Sequence, residues 1–191
     1  MNRRHFFTIP AALLLATSLA ACTTTGRHND GTAAGKRQEI NTGATAALER
    51  LYDTVPGARD LSRDAKGILV FPSVLSAGLV VGGEYGNGEL RVGNQTEGYY
   101  NISSASVGLQ AGAQSKAMIF MFMTEEALNK FRNSKGWTAG ADASVAVAKV
   151  GANGTLDTNT AGQSVVAFVM TNAGLMANLS VEGTKITKIN L

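Results

Sequence analysis

Apolar positions along the chain follow two rhythms. Leu48, Leu51, Tyr52 and Val55 recur at i, i+3, i+4 and i+7 and stop at Pro56, which predicts a short amphipathic helix. Leu61 and Ala65 point to a second, shorter helix. From Lys66 onward the pattern changes to strands: Gly67 to Phe71, ended by Pro72, then Gly78 to Gly86, then residues 97–109. Residues 117–123, AMIFMFM, are apolar at every position, so a central strand covered on both faces is expected there. Thr124-Glu125-Glu126 opens a helix through Phe131, with its acids in the first turn, where the helix dipole favours them. Residues 164–171, 173–182 and 184–190 form three more expected strands, joined at Thr171-Asn172 and around Gly183. Without βαβ alternation or an internal repeat, the pattern predicts an α+β fold: a strongly curved or barrel-like antiparallel β-sheet with a few flanking helices.

The glycine-rich stretch VVGGEYGNGE at 80–89 invites comparison with a phosphate-binding loop. Such a loop needs a helix after its glycines, whereas Glu89-Leu90-Arg91-Val92 alternates like a strand. Asn87-Gly88 is instead the preferred dipeptide of a two-residue hairpin turn. That register would pair Gly86 with Glu89, Tyr85 with Leu90, Glu84 with Arg91 and Gly83 with Val92. Gly82 and Gly83 would then mark a bend, a bulge or a close backbone approach inside the strand.

At the N-terminus, Arg3 and Arg4 precede an apolar run from Phe6 that ends in Leu19-Ala20-Ala21-Cys22. This is the pattern of a signal peptide over residues 1–21, and Leu-Ala-Ala-Cys resembles the bacterial lipobox, in which the cysteine is acylated. Phe6 to Ala21, interrupted by Pro10, falls short of the roughly 20 residues a spanning helix requires. Arg3-Arg4 followed by Phe6-Phe7 also resembles a twin-arginine export signal, with the ordinary secretory route as the default. Residues 22–41, polar and sprinkled with glycine, are expected to be the lipidated Cys22 and a flexible tether, and residues 42–191 the folded domain. Thr23 lacks the Asp associated with inner-membrane retention, so the expected location is the outer membrane, with a periplasmic or surface-facing domain.

Composition narrows the chemistry. The chain holds 17 Lys plus Arg against 14 Asp plus Glu, and loss of Arg3 and Arg4 with the signal leaves an excess of one. No nucleic-acid footprint results. Cys22 is the only cysteine, and the two histidines, His5 and His28, precede the domain. Cysteine nucleophiles, imidazole-based triads and ordinary zinc sites are therefore excluded from residues 42–191. With no catalytic residue, metal or cofactor motif, the expectation is a protein that is not an enzyme.

Ala65-Lys66-Gly67-Ile68-Leu69-Val70-Phe71-Pro72 and AGLVVGGEYGNGEL at 77–90 resemble the SYLF domain. GLQAGAQ at 108–114, FMTEEALNKF at 122–131, GADASVAVAKVG at 140–151 and AFVMTNAGLMANLSVEGTKI at 167–186 continue the resemblance in order over residues 44–190. It implies lipid binding, and actin-filament binding of the kind found in yeast members, with bacterial lipoproteins carrying the domain alone as the nearest type.

The leading expectation is thus a lipid-anchored envelope protein, attached through acylated Cys22, whose domain binds phospholipid head groups, anionic ones included, or a small amphiphile. Lys66, Arg91, Lys116, Lys130, Arg132 and Lys135 are the candidate lipid contacts. The alternative is a structural envelope lipoprotein that recognises protein or glycan, for which Tyr99, Tyr100 and Trp137 are the candidate contacts. Arg50, Arg59 and Arg63 alternate with Glu49, Asp53, Asp60 and Asp64, a pattern expected of solvated helix faces.

Overall fold

The computed structural model describes residues 32–78, 81–107, 112–150, 156–157, 162–176 and 179–191. Cys22, the expected signal peptide and the first part of the expected tether lie outside them. Among the described residues, three helices, α1 (Ala33–Thr54), α2 (Ala58–Asp64) and α3 (Glu125–Asn133), accompany a strongly curled, half-barrel sheet. Its long strands are β1 (Gly67–Gly78), β2 (Val81–Val92), β3 (Gln95–Val107) and β4 (Gly112–Phe122). Shorter ones follow: β5 (Trp137–Thr138), β6 (Ala146–Val147), β7 (Val165–Thr171), β8 (Gly174–Leu175) and β9 (Lys185–Ile189). The order is β5-β9-β3-β2-β1-β4-β7-β6, with β8 on β7. The α+β class and the curled sheet match the expectation from sequence, with one exception. β6 pairs with β7 in parallel, so the sheet is mixed. The long connection between these two strands gives the chain room to return in the same direction.

β4 sits between β1 and β7 and is buried from Ala117 to Phe122. Met118, Phe120 and Phe122 enter one core, where Phe131 of α3, Trp137 and Tyr100 complete an aromatic cluster with neighbouring ring centroids 4.9 to 6.3 Å apart. Ala117, Ile119 and Met121 enter a second core, roofed by Ala44, Ala47, Leu48 and Leu51 of α1. Thr124 caps α3, its hydroxyl accepting from the Ala127 amide at 3.2 Å, so that helix begins where its sequence indicates.

Two expectations fail around the glycines. β1 does not stop at Pro72 but runs to Gly78 through a bulge between Val70 and Ser73, a site that tolerates a residue without an N–H. Asn87-Gly88 forms no turn: both lie within β2, Asn87 between Ser73 and Asn101, Gly88 opposite Tyr100. The β2–β3 turn falls at Gly93-Asn94, where Gly93 has φ +59. Steric crowding explains the misplaced glycine signal. A Cβ on Gly88 would lie 2.2 Å from the Val70 carbonyl oxygen and 2.5 Å from the Phe71 ring, and one on Gly86 would lie 2.7 Å from the Ser73 carbonyl. Glycine is required there by the approach of β1, not by a positive φ. Glu84 and Arg91 consequently do not face each other.

The tether expectation also fails in part. Thr32 caps α1, its hydroxyl accepting from Gly35 N, and residues 33–41 are helical. Ala, Lys, Arg, Gln and Glu in this segment are strong helix formers, so polarity alone did not exclude a helix. Ile40 is buried, and the Arg37 guanidinium donates to the Leu191 carbonyl. At the other end, the expected strand over 173–182 contracts to Gly174–Leu175.

Because the Gly88 position has no space for a methyl group, Gly88→Ala is expected to lower stability by about 1–3 kcal/mol, the usual cost of overpacking. Gly162→Ala, at a site with nothing within 4 Å, serves as the control. Urea-unfolding midpoints of the two variants check the difference.

Candidate functional site

A cleft of about 550 Å³ opens where α1 and α2 meet the start of β1 and the end of β2. Thr45, Leu48, Glu49 and Tyr52 line it at i, i+3, i+4 and i+7 of α1, and Arg59, Ser62 and Arg63 at i, i+3 and i+4 of α2, so each helix presents one face. Gly57, at φ +85, lies in the short turn between the helices, which contact each other and line the same cleft. Ile68, Arg91 and Asn94 lie on the sheet side. The Arg59 guanidinium stacks 4.5 Å from the centroid of the Tyr52 ring.

Arg91 is held from below. Its Nε and Nη2 donate to Glu89 Oε1 at 2.6 and 2.5 Å, and Nη2 also donates to the Asn41 carbonyl and to Thr45 Oγ1, both at 2.9 Å. Glu89 is fully buried. Thr96 Oγ1 donates to its second oxygen at 2.7 Å. The Asn41 amide is oriented with its nitrogen toward Glu89 Oε2, at 2.7 Å, because the opposite orientation would set oxygen against oxygen. In this orientation the same nitrogen lies 3.0 Å from the Tyr99 hydroxyl. The buried carboxylate is therefore charge-paired and saturated with donors, and the same bonds clamp α1 onto β2 and β3.

Of the lipid-contact candidates named from sequence, Arg91 alone lines this cleft. Lys116 is 7% exposed and donates to Glu84 at 2.5 Å, while Ser76 and Ser104 donate to the same carboxylate at 3.0 and 3.1 Å; it is an internal ion pair, not a surface contact. Arg132 bridges to Glu97, away from the cleft. Lys66, Lys130 and Lys135 are exposed and do not converge with one another at the cleft. The aromatic candidates are corrected more sharply. Trp137 and Tyr100, 1% and 5% exposed, belong to the aromatic core and offer no surface for a partner. Burial pushes the Tyr100 phenol above its ordinary pKa, with Glu97 adding in the same direction. Tyr99 is half-buried against Asn41. Arg59, Arg63 and Glu49 read in sequence as members of mixed-charge helix faces; the i, i+4 spacing of Arg59 and Arg63, and of Glu49 with Thr45, is the signal that each lies on one helix face. Cys22 lies outside the described residues.

Comparison with known families gives one match. Residues 103–190 match the family described as Ysc84, Las17-binding protein actin regulator. This match covers 88 of the 191 residues. The matched segment runs from the second half of β3 through β9, whereas the cleft is built from residues 45–94 and precedes it. No curated protein matches the chain. Among the described residues, no helix is long and apolar enough to cross a membrane.

Removing Arg91 would leave Glu89 buried without its counter-charge, so Arg91→Gln is expected to destabilise the fold by about 3–5 kcal/mol. Adding Glu89→Gln should restore part of that loss, because the double variant buries no net charge. A double-mutant cycle from chemical denaturation measures the recovery.

Proposed function

We propose that the chain is a lipid-anchored bacterial envelope protein whose SYLF domain binds phospholipid head groups. The observation that carries this reading is the cleft, in which three guanidiniums stand beside an apolar wall of Leu48, Tyr52, Ala65 and Ile68. Guanidinium forks suit phosphate oxygens, and the wall suits the hydrocarbon attached to them. The family match over residues 103–190 supports a lipid- or actin-directed binding role at the coarse level. Acylation of Cys22, in a segment that resembles a lipobox, would supply the anchor, with the outer membrane as its proposed location.

Binding of a protein or glycan partner is the second reading, and it draws on a different surface. Leu75 and Tyr85, each 58% exposed, pair across β1 and β2 on the α1 side of the sheet, in register with Ser115 and Ser103. The family description names actin regulation, and a protein contact would be sought on this uncharged pair.

Co-sedimentation of residues 23–191 with phospholipid vesicles tests the first reading. Pelleting is expected, and it should fall several-fold in the Arg59→Gln/Arg63→Gln double variant; no pelleting above the protein-only control at low salt would sink the proposal. For the anchor, Cys22→Ala in the full chain is expected to abolish stable membrane fractionation.

A further inference from the structure

The cleft contains charges of both signs that the fold leaves unspent. Glu49 lines the main cleft and also its shallower continuation toward Asn41 and Thr96. Among the described residues it makes no ion pair and no hydrogen bond. Arg59 has only the Tyr52 ring as its partner. Arg63 pairs with Asp60 at 2.9 Å, but the two side chains are 70% and 78% exposed, so that bond is easily exchanged. Arg91 differs, since its guanidinium is committed to a buried carboxylate and cannot leave without stranding Glu89. A ligand in this cleft therefore meets one free guanidinium, a second that is loosely held, and one free carboxylate that closes on neither.

This arrangement discriminates between head groups by charge. A purely anionic head group satisfies Arg59 and Arg63 but brings like charge into the cleft that Glu49 lines. A head group carrying a phosphate and an ammonium a few bonds apart satisfies both signs together. A primary ammonium has three N–H donors to offer a carboxylate, and a quaternary one has none.

We propose that the cleft selects a zwitterionic aminophospholipid head group. Its phosphate lies on Arg59 and Arg63, its primary ammonium on Glu49, and its glycerol and first acyl carbons against Leu48 and Ile68. Arg91 acts as a fixed wall. The inference rests on the phospholipid-binding reading above and adds to it the head-group class and the role of Glu49, which a generally anion-seeking surface would not require.

The test uses the full chain in uncharged detergent micelles, so that any anchor is accommodated equally in every arm. Short-chain phosphatidylethanolamine, phosphatidylglycerol and phosphatidylcholine are titrated separately, alongside free phosphoethanolamine. Phosphatidylethanolamine is expected to bind roughly fivefold more tightly than the other two lipids, the size of one partly exposed charge contact. Glu49→Gln should erase that preference with the fold intact by circular dichroism, since Glu49 holds no structural bond, and Arg59→Gln should weaken all three lipids. Phosphatidylglycerol binding as tightly as phosphatidylethanolamine, or a preference that survives Glu49→Gln, would overturn the selectivity while leaving phospholipid binding in place. Equal affinity for free phosphoethanolamine would overturn the lipid assignment in favour of a soluble phosphoester. Absence of binding by every lipid would overturn both readings.

Discussion

A carboxylate with no exposure to water cannot stay charged without a partner, and around Glu89 that requirement organises much of the molecule. Arg91 meets it from two residues along the same strand, and Thr96 and Asn41 fill the remaining lone pairs. Asn41 belongs to α1, and Arg91 reaches the α1 backbone and Thr45 as well. Neutralising one buried charge thereby seats a 22-residue helix on the sheet. The apolar contacts of Leu48 and Leu51 then supply area, while the polar bonds supply register. The cleft is a by-product of this seating, because its walls are the α1 face beyond Thr45 and the α2 face beside it.

The sheet side of the same arrangement depends on how closely β1 and β2 approach. Around the bulge at Pro72 the β1 backbone lies so close to β2 that no side chain fits at Gly86 and Gly88. Beyond the bulge the strands continue to Gly78, so one sheet carries the two cores at one end and the Glu84–Lys116 pair at the other. Lys116 is buried because the inward alternation of β4 continues past its apolar run; it aligns with Val74 of β1 and reaches diagonally to Glu84 of β2, whose own partner on β1 is Ser76.

The elements legible in sequence were those whose burial and local signals agree. AMIFMFM had to be covered on both faces, and Thr124 followed by two acids had to open a helix; both hold. Asn87-Gly88 misled because a dipeptide favoured in turns is also acceptable in a strand whose neighbour leaves no space for side chains, and that neighbour is remote in sequence. Residues 33–41 misled because their polarity conceals helix formers whose docking rests on hydrogen bonds rather than on an apolar stripe. Trp137 and Tyr100 are candidate contacts only on the alternative reading of the sequence, and their rings instead complete a cluster with Phe122 and Phe131. The cleft escaped for a related reason. Arg59 and Arg63 converge with Arg91 only once α2 packs beside α1, an event that charge counting along the chain does not register.

The helical state of residues 33–41 also changes what an anchor at Cys22 would do. A flexible connection reaching to residue 41 would set a longer limit on the distance between domain and bilayer. With α1 beginning at Ala33, eleven residue steps separate it from Cys22, a span of at most about 40 Å even when fully extended. Beyond that point α1 carries no slack, because Asn41, Thr45 and Arg91 fix it to the sheet. Thr45 stands about 18 Å along the helix from Ala33, at 1.5 Å per residue. On the proposed reading, the anchor therefore acts on a rigid lever that carries one wall of the cleft. Such an anchor bounds the distance between cleft and bilayer more tightly than a connection reaching to residue 41 would, and a shorter reach raises the effective concentration of head groups that the cleft meets.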